Sequence, residues 1–218
     1  PLDADAAAAA MAFLRSSDLL ERIAADYDAC GIVGESAPKL VSYLCAISRK
    51  LDQPLAVLTM APSAAGKTSL QDGTLAFVPE EERLCLSAMT GQALHYIEED
   101  LSHRVLAIAE EEGASRAAYS LKLLQSEGKI SLAVPIKDPE TGQIVTKIKE
   151  VRGPVALFLT TTAAQIDEEL ANRCIVLTVD ESPEQTLRVH DVQRERETLD
   201  GLMRKTRAEA IRTVHKNA

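Results

Sequence analysis

The chain has 218 residues, of which 46% are apolar, and its formal net charge is −9. This length allows a full hydrophobic core and suits one α/β domain with helical additions better than two equal domains. Aromatic residues make up only 3% and Trp is absent, so the core must be aliphatic, which favours a helix-covered parallel sheet over an all-β sandwich. The acidic balance excludes a surface that coats nucleic acid by bulk electrostatics, so any DNA contact must be local.

The cysteines stand singly, without the spacing of a zinc site, and we expect them to be reduced core residues. They are Cys30, Cys45, Cys85 and Cys174. No apolar run approaches the roughly 20 residues that span a bilayer, and no basic segment of a secretory signal is present, so we expect a soluble, cytoplasmic protein without a membrane partner. Because the chain begins at Pro1 and ends inside a charged helical pattern, we expect a piece of a longer polypeptide.

Residues 1–52 predict a helical lead-in. Within it, a helix begins near Ser36 and carries an apolar stripe that we expect to pack on a sheet. The stripe consists of Leu40, Leu44, Ile47 and Leu51.

Residues 53–181 alternate strand and helix patterns, which predicts a parallel sheet. The predicted strands are Pro54–Met60, Arg83–Ala88, Arg104–Ala109, Val155–Leu159 and Ile175–Val179. Helices are predicted over Thr68–Val78, over Gly91–Ile97 and after Glu112. Residues 130–151 predict a β-hairpin around a turn rich in Pro and Gly. Residues 182–218 are predicted to be helical, opened by the capping box Ser182-Pro183-Glu184-Gln185.

The segment from Ala61 to Thr68, APSAAGKT, has the pattern of a phosphate-binding loop. Phosphate oxygens need converging N–H donors and a cation, which a loop of small residues running into a helix N-terminus provides. Lys67 is expected to reach the β- and γ-phosphates of ATP, and Thr68 to ligate Mg²⁺. The nucleotide-binding residues are then Pro62, Ser63, Ala64, Ala65, Gly66, Lys67, Thr68 and Ser69. The usual pattern opens with Gly where this chain has Ala61; the alternative is a chance GKT in a loop.

An apolar strand pattern, Leu106–Ala109, ends in two carboxylates and fits the acidic element that such a site needs. Glu110 is expected to assist Mg²⁺, directly or through water, and Glu111 to polarise the attacking water. Glu112 could be confused with either. The alternative is a solvated acidic start of a helix, which the helix dipole favours.

A further strand ends in Thr160-Thr161-Thr162, and the motif Leu170-Ala171-Asn172-Arg173 precedes the last strand. The order of phosphate loop, acidic strand, polar strand end and Leu-x-x-Arg resembles the AAA+ ATPases. With the hairpin before the polar strand end, it is most similar to the minichromosome maintenance helicases and to the primase-helicases of phages and mobile elements. The resemblance covers residues 55–180. It implies an AAA+ P-loop NTPase fold of class α/β, a parallel five-stranded sheet flanked by helices, with a hairpin insertion and helical additions at both ends.

The resemblance also implies roles for individual residues. Thr161 or Thr162 is the sensor that orients water, and Arg173 is the arginine finger that acts on ATP held by a neighbouring subunit. The alternative for Arg173 is a surface salt bridge with Glu168 or Glu169. Residues 182–218 resemble the start of a helical lid in which Arg188 or Arg194 is a second sensor, although interleaved charges of this kind also form plain solvated faces.

In the relatives, the hairpin projects into a central channel and touches DNA. Lys137, Lys147 and Lys149 are the corresponding lysines, and six copies of each in a homo-hexamer would form a basic ring despite the acidic chain. The alternative is a solvated hairpin of ordinary composition.

The leading hypothesis is an ATP- and Mg²⁺-dependent motor domain of a DNA helicase or primase-helicase that works as a ring. The first alternative is an AAA+ switch, such as a loader or activator, whose hairpin grips a protein. The second is a monomeric P-loop kinase, which has little use for the arginine finger or the hairpin.

Overall fold

In the computed structural model, the described residues are 2–61, 67–87, 93–97, 99–109, 111–137, 143–162 and 168–218, with the side chains of 111–117, 134, 136, 137, 145 and 147 left out. The helices are α1 (Ala4–Leu14), α2 (Leu19–Ala29), α3 (Ser36–Ile47), α4 (Lys67–Leu75), α5 (Glu111–Glu127), α6 (Glu168–Ala171), α7 (Pro183–Arg196) and α8 (Leu199–Asn217). The strands are β1 (Ala56–Met60), β2 (Arg83–Leu86), β3 (Arg104–Ile108), β4 (Lys129–Lys137), β5 (Ile144–Arg152), β6 (Val155–Thr161) and β7 (Ile175–Thr178). Short 3-10 turns cover Ser48–Lys50, Glu80–Glu82 and Ala93–Tyr96.

Five strands form one parallel sheet in the order β2-β3-β6-β1-β7, which confirms the predicted α/β architecture. Every residue of the central strand β6 is buried, as expected for a strand covered by helices on both faces. One face packs Leu106, Leu157 and Leu159 against α5, and the other packs Val57, Ala156 and Phe158 against α3 and the end of α4.

The predicted stripe of α3 is wrong. Leu44 and Ile47 are each 44% exposed and Leu51 is 58% exposed, whereas Leu40 is half-buried. The buried residues of this helix are Lys39, Ser42, Tyr43, Cys45 and Ala46. Small Cys45 and Ala46 allow the helix to approach the sheet closely, and the Cys45 thiol lies 3.3 Å from the Leu55 carbonyl oxygen. Lys39 is buried because its ammonium donates to Asp28 at 2.7 Å.

Two smaller predictions also fail. Cys85 is exposed because β2 is an edge strand, although Cys45 is buried and all four thiols are unbridged. The helix expected over residues 91–97 is a single 3-10 turn where the structure describes it, at Ala93–Tyr96, and residues 91 and 92 lie outside the described residues. Within the described part of the chain, no helix is long and apolar enough to cross a membrane.

Strands β4 and β5 pair antiparallel over nine residues each. A two-stranded sheet is only marginally stable by itself. This one packs against α5 at the end where β4 begins and β5 ends. There, Ile130 and Val151 are buried against Leu121 and Leu124. Toward the other end, Ile144 and Ile148 are 78% and 69% exposed. The turn at residues 138–142 lies outside the described residues.

The helical tail returns to the amino-terminal helices. Ser182 caps α7 by accepting from the Gln185 amide N–H at 3.2 Å. Gln185 does not complete the predicted capping box, because its side chain donates to the Val33 carbonyl at 2.7 Å instead. Helix α8 then packs along α1 and α2.

An aromatic cluster joins the two ends of the chain. His215 of α8 is 6% exposed and lies among Phe13, Tyr43 and Phe77, whose ring centroids are 4.2 to 5.4 Å from the imidazole. The imidazole Nε2 lies 3.0 Å from Asp26, and Nδ1 lies 2.8 Å from the Tyr43 hydroxyl. A neutral ring protonated at Nε2 satisfies both contacts, donating to the carboxylate and accepting from the phenol.

The cluster extends to the helix that carries Lys67. The Tyr27 hydroxyl lies 2.7 Å from the Thr74 hydroxyl of α4, and the Tyr27 and Phe77 rings meet edge to face at 4.9 Å. Four of the seven aromatic residues of the chain therefore connect α1, α2 and α3 with the end of α4 and with α8.

We predict that His215 makes the stability of the protein depend on pH. Burial lowers the pKa of His215 below its usual value of 6.5, although Asp26 opposes this shift. The unfolded chain takes up a proton below about pH 6.5 while the folded chain does not, so the stabilisation is complete above that pH and is lost on acidification. In thermal melts at pH 8, the free energy of unfolding of His215→Gln should be about 1–3 kcal/mol lower than that of the unsubstituted protein. Between pH 7 and pH 5, the free energy of unfolding of His215→Gln should fall less than that of the unsubstituted protein.

The matched control is His190→Gln, because His190 is exposed on α7. It should melt like the unsubstituted protein at every pH. A pH dependence that is equally strong in His215→Gln would contradict the assignment.

Candidate functional site

The phosphate-loop pattern lies where β1 leaves the sheet. Strand β1 ends at Met60, the Ala61 amide donates to the Thr161 carbonyl at 3.3 Å, and α4 begins at Lys67. Lys67 is 8% exposed and its ammonium donates to the Ala61 carbonyl. Pro62, Ser63, Ala64, Ala65 and Gly66 lie outside the described residues.

Ala61, which stands where the usual phosphate-loop pattern has Gly, is not among the residues with positive φ. Among the described non-glycine residues, only Glu35 and His103 have positive φ, so Ala61 adopts a backbone conformation that any residue tolerates. Thr68 and Ser69 are exposed in the first turn of α4, where backbone N–H groups of a helix are unsatisfied and attract anions.

The sensor threonines lie beside the loop. Thr161 is the last residue of β6 and pairs in register with Met60, and Thr160 pairs with Thr59. Both are 4% exposed, and Thr162 is exposed just beyond the strand. Because strand side chains alternate between faces, Thr160 and Thr161 point to opposite faces of the sheet.

The predicted acidic element follows β3, which β6 separates from β1. Ile108 pairs with Leu159, so β3 ends at the same edge of the sheet as β1 and β6. Two strand spacings place β3 about 10 Å from β1, a gap that a metal ion with its ligands and waters can fill. Glu110 lies outside the described residues, and Glu111 is described only as the first backbone residue of α5.

Arg173 lies at the opposite end of the sheet from its own loop. Ile175 pairs with Val57, which places Arg173 near the amino end of β1, at the level of Leu55. The extended chain from there to Ala61 spans about 20 Å, so an Arg side chain cannot reach the loop of its own chain. The guanidinium lies 3.3 Å from Glu169, the salt bridge that the alternative interpretation named.

The three lysines of the β4–β5 pair occupy different register positions. Lys137 pairs with Ile144, whereas Lys147 pairs with Val134 and Lys149 with Leu132. The side chains of Lys137 and Lys147 lie outside the described part of the structure. Arg188 is exposed on α7, and Arg194 lies 2.8 Å from Asp191.

The sequence analysis predicted a short helix over Gly91–Ile97 but missed the contacts that its residues make with α5 and β5. Leu94 is fully buried, His95 Nε2 lies 3.1 Å from the Ser120 hydroxyl of α5, and the Lys149 ammonium lies 4.6 Å from the Tyr96 ring centroid. These partners are 25 to 53 positions apart in the sequence, and no local pattern marks them. The turn connects α5 with β5.

A family model described as the MTBMA_p00010 P-loop domain matches residues 5–217. The chain belongs to this P-loop domain family. The match covers nearly the whole chain, including both helical ends. P-loop domains in general bind nucleoside triphosphates with Mg²⁺. No curated protein matched the chain.

We predict that Lys67 and Arg173 differ in their effect on nucleotide binding by a single chain. Lys67→Ala should weaken ATP binding about 10- to 100-fold, as loss of one charge-assisted hydrogen bond implies. Arg173→Ala should leave it unchanged within about twofold, because Arg173 is about 20 Å from its own loop. The dissociation constants of both variants can be measured by titrating a fluorescent ATP analogue into dilute protein. Light scattering should first show that the protein is monomeric at this concentration. Equal weakening by the two substitutions would contradict the geometry.

Proposed function

We propose that this P-loop domain hydrolyses ATP as the motor domain of a ring-forming DNA helicase or primase-helicase. The observation that carries the proposal is the common edge where β1, β6 and β3 end, which holds Lys67, Thr161 and the start of α5. The family match supports the nucleotide-binding part. The helicase part rests on the AAA+ resemblance.

Each residue at this edge has a role in the proposed reaction. Lys67 and the first turn of α4 hold the phosphates, and Thr68, with Glu110, holds Mg²⁺. Glu111 and Thr161 or Thr162 orient the attacking water. The buried position of Lys67 supports this arrangement, because an ammonium in a site of low dielectric interacts strongly with phosphate charge.

A neighbouring subunit completes the proposed site. Charge that develops on the transferred phosphoryl group needs a further cation, and Arg173 cannot supply it to its own loop. Its ion pair with Glu169 is solvent-exposed, and exposed ion pairs contribute little to stability, so Arg173 can be released to a neighbour at small cost. These facts support an arginine finger that acts between subunits of a homo-hexamer.

A second candidate is an AAA+ switch whose β4–β5 pair grips a protein. The observation in its favour is the exposure of Ile144 and Ile148 on one face of the pair, since exposed apolar surface is typical of protein contacts. Stimulation of ATP hydrolysis by DNA and unwinding of a forked duplex favour the helicase. ATP hydrolysis that DNA leaves unchanged favours the switch.

We predict that ATP hydrolysis depends on Lys67 and on shared sites. Lys67→Ala should reduce the turnover number by at least about 100-fold, and Lys205→Ala, on the exposed surface of α8, should not change it. Phosphate release measures both. Unchanged turnover in Lys67→Ala refutes the proposal.

Mixing experiments test the role of Arg173. Neither Lys67→Ala nor Arg173→Ala protein alone should turn over ATP. A mixture should regain part of the activity, because some interfaces then combine an intact loop with an intact finger. Failure of every mixing ratio to regain activity counts against sharing.

A further inference from the structure

The exposed tyrosine Tyr96 stands out in a chain with few aromatic residues. Of the four tyrosines, Tyr27 and Tyr43 are buried in the aromatic cluster, whereas Tyr96 is 48% and Tyr119 is 70% exposed. Tyr96 differs from Tyr119 in its surroundings, because the Lys149 ammonium lies over the Tyr96 ring.

The turn that carries Tyr96 is fixed by the two residues that precede this tyrosine. Leu94 is fully buried in the core cluster that contains Ile130 and Val151, and the His95 contact joins the 3-10 turn to Ser120 of α5. A ring on a turn that is fixed by the two residues before it loses little conformational freedom when a ligand stacks on it, which favours binding.

The contact between Lys149 and Tyr96 stabilises the fold less than a buried cation–π pair would. A cation–π pair gains most when it is desolvated, yet nearly half of Tyr96 remains open to solvent. An exposed aromatic ring beside a lysine is the combination with which proteins bind single-stranded nucleic acid, since bases stack on the ring and the cation attracts the phosphates.

The local charge is compatible with the same class of ligand. Residues 129–152 carry five basic and three acidic side chains, in a chain whose net charge is −9. The β4–β5 pair is therefore a basic segment of an acidic protein, which attracts an anionic strand.

We infer that Tyr96 and Lys149 form a stacking site for an unpaired base of single-stranded nucleic acid. An unpaired base is required because a duplex already stacks both faces of each base. The inference deepens the proposed motor function, for which it names the element that contacts the strand, and it rests on that function. Of the three lysines predicted to contact DNA, it keeps Lys149, and it adds a tyrosine on the turn that precedes the β4–β5 pair in the chain.

The absence of Trp from the chain provides a direct test. Tyr96→Trp introduces a single fluorophore at the site, and a base stacked on the indole quenches its emission. We expect a single-stranded oligodeoxythymidine to quench Tyr96→Trp saturably. The control is Leu187→Trp on α7, where Leu187 is 58% exposed, and it should not be quenched. Equal quenching of both reporters overturns the inference.

Binding measurements by fluorescence anisotropy, with a labelled oligodeoxythymidine, complete the test. Tyr96→Leu should weaken binding by at least about fivefold, and Tyr96→Phe should retain it within about twofold, because stacking needs the ring and not the hydroxyl. Lys149→Met should weaken binding more than Lys205→Met, which removes the same charge from α8. Unchanged binding by Tyr96→Leu, or equal affinity for a blunt duplex, overturns the inference.

The two proposals can fail separately. The binding measurements are made without ATP and repeated in Lys67→Ala protein, where binding should persist. Quenching without any ATP hydrolysis by the unsubstituted protein supports the stacking site and rejects the motor. Hydrolysis without quenching rejects the stacking site and leaves the ATPase in place.

Discussion

The position of β6 between β1 and β3 is the constraint on which the candidate site depends. Because all three strands run parallel and in register, their carboxyl ends meet at one edge. The edge holds the start of the phosphate-loop segment, the threonines of β6 and the start of α5. The same parallel order places Arg173 at the other end of the sheet. One feature of topology therefore brings together the described residues of the proposed ATP site and separates them from the proposed arginine finger.

The aromatic cluster gives the flanking helices a physical link to this site. Phe77 follows α4, whose first residue is Lys67, and it stacks on His215 of the carboxy-terminal helix. Tyr27 binds Thr74 of the same helix. These contacts join α2 and α8 to the helix that is proposed to hold the phosphates. The family match, over residues 5–217, includes both of these helical ends.

The β4–β5 pair joins the sheet through its base, not through its exposed end. Ile130 and Val151 are buried against α5, and the 3-10 turn that carries Tyr96 contacts β5. Helix α5 begins at the proposed catalytic carboxylates and contacts the β4–β5 pair, so this one helix links the two. An element of this kind suits a motor or a switch, in which hydrolysis must alter a distant contact.

The sequence by itself determined the elements whose signals are local. The strand-loop-helix pattern around Lys67, the buried strands and the cap at Ser182 all follow from neighbouring residues. Only the tertiary structure decided which face of α3 is buried, because Cys45 and Ala46 pack closer to the sheet than the larger leucines could. It also decided the partners of His215 and Tyr96, which lie up to 189 positions away. Periodicity records burial along one element, whereas such contacts depend on how separate elements meet.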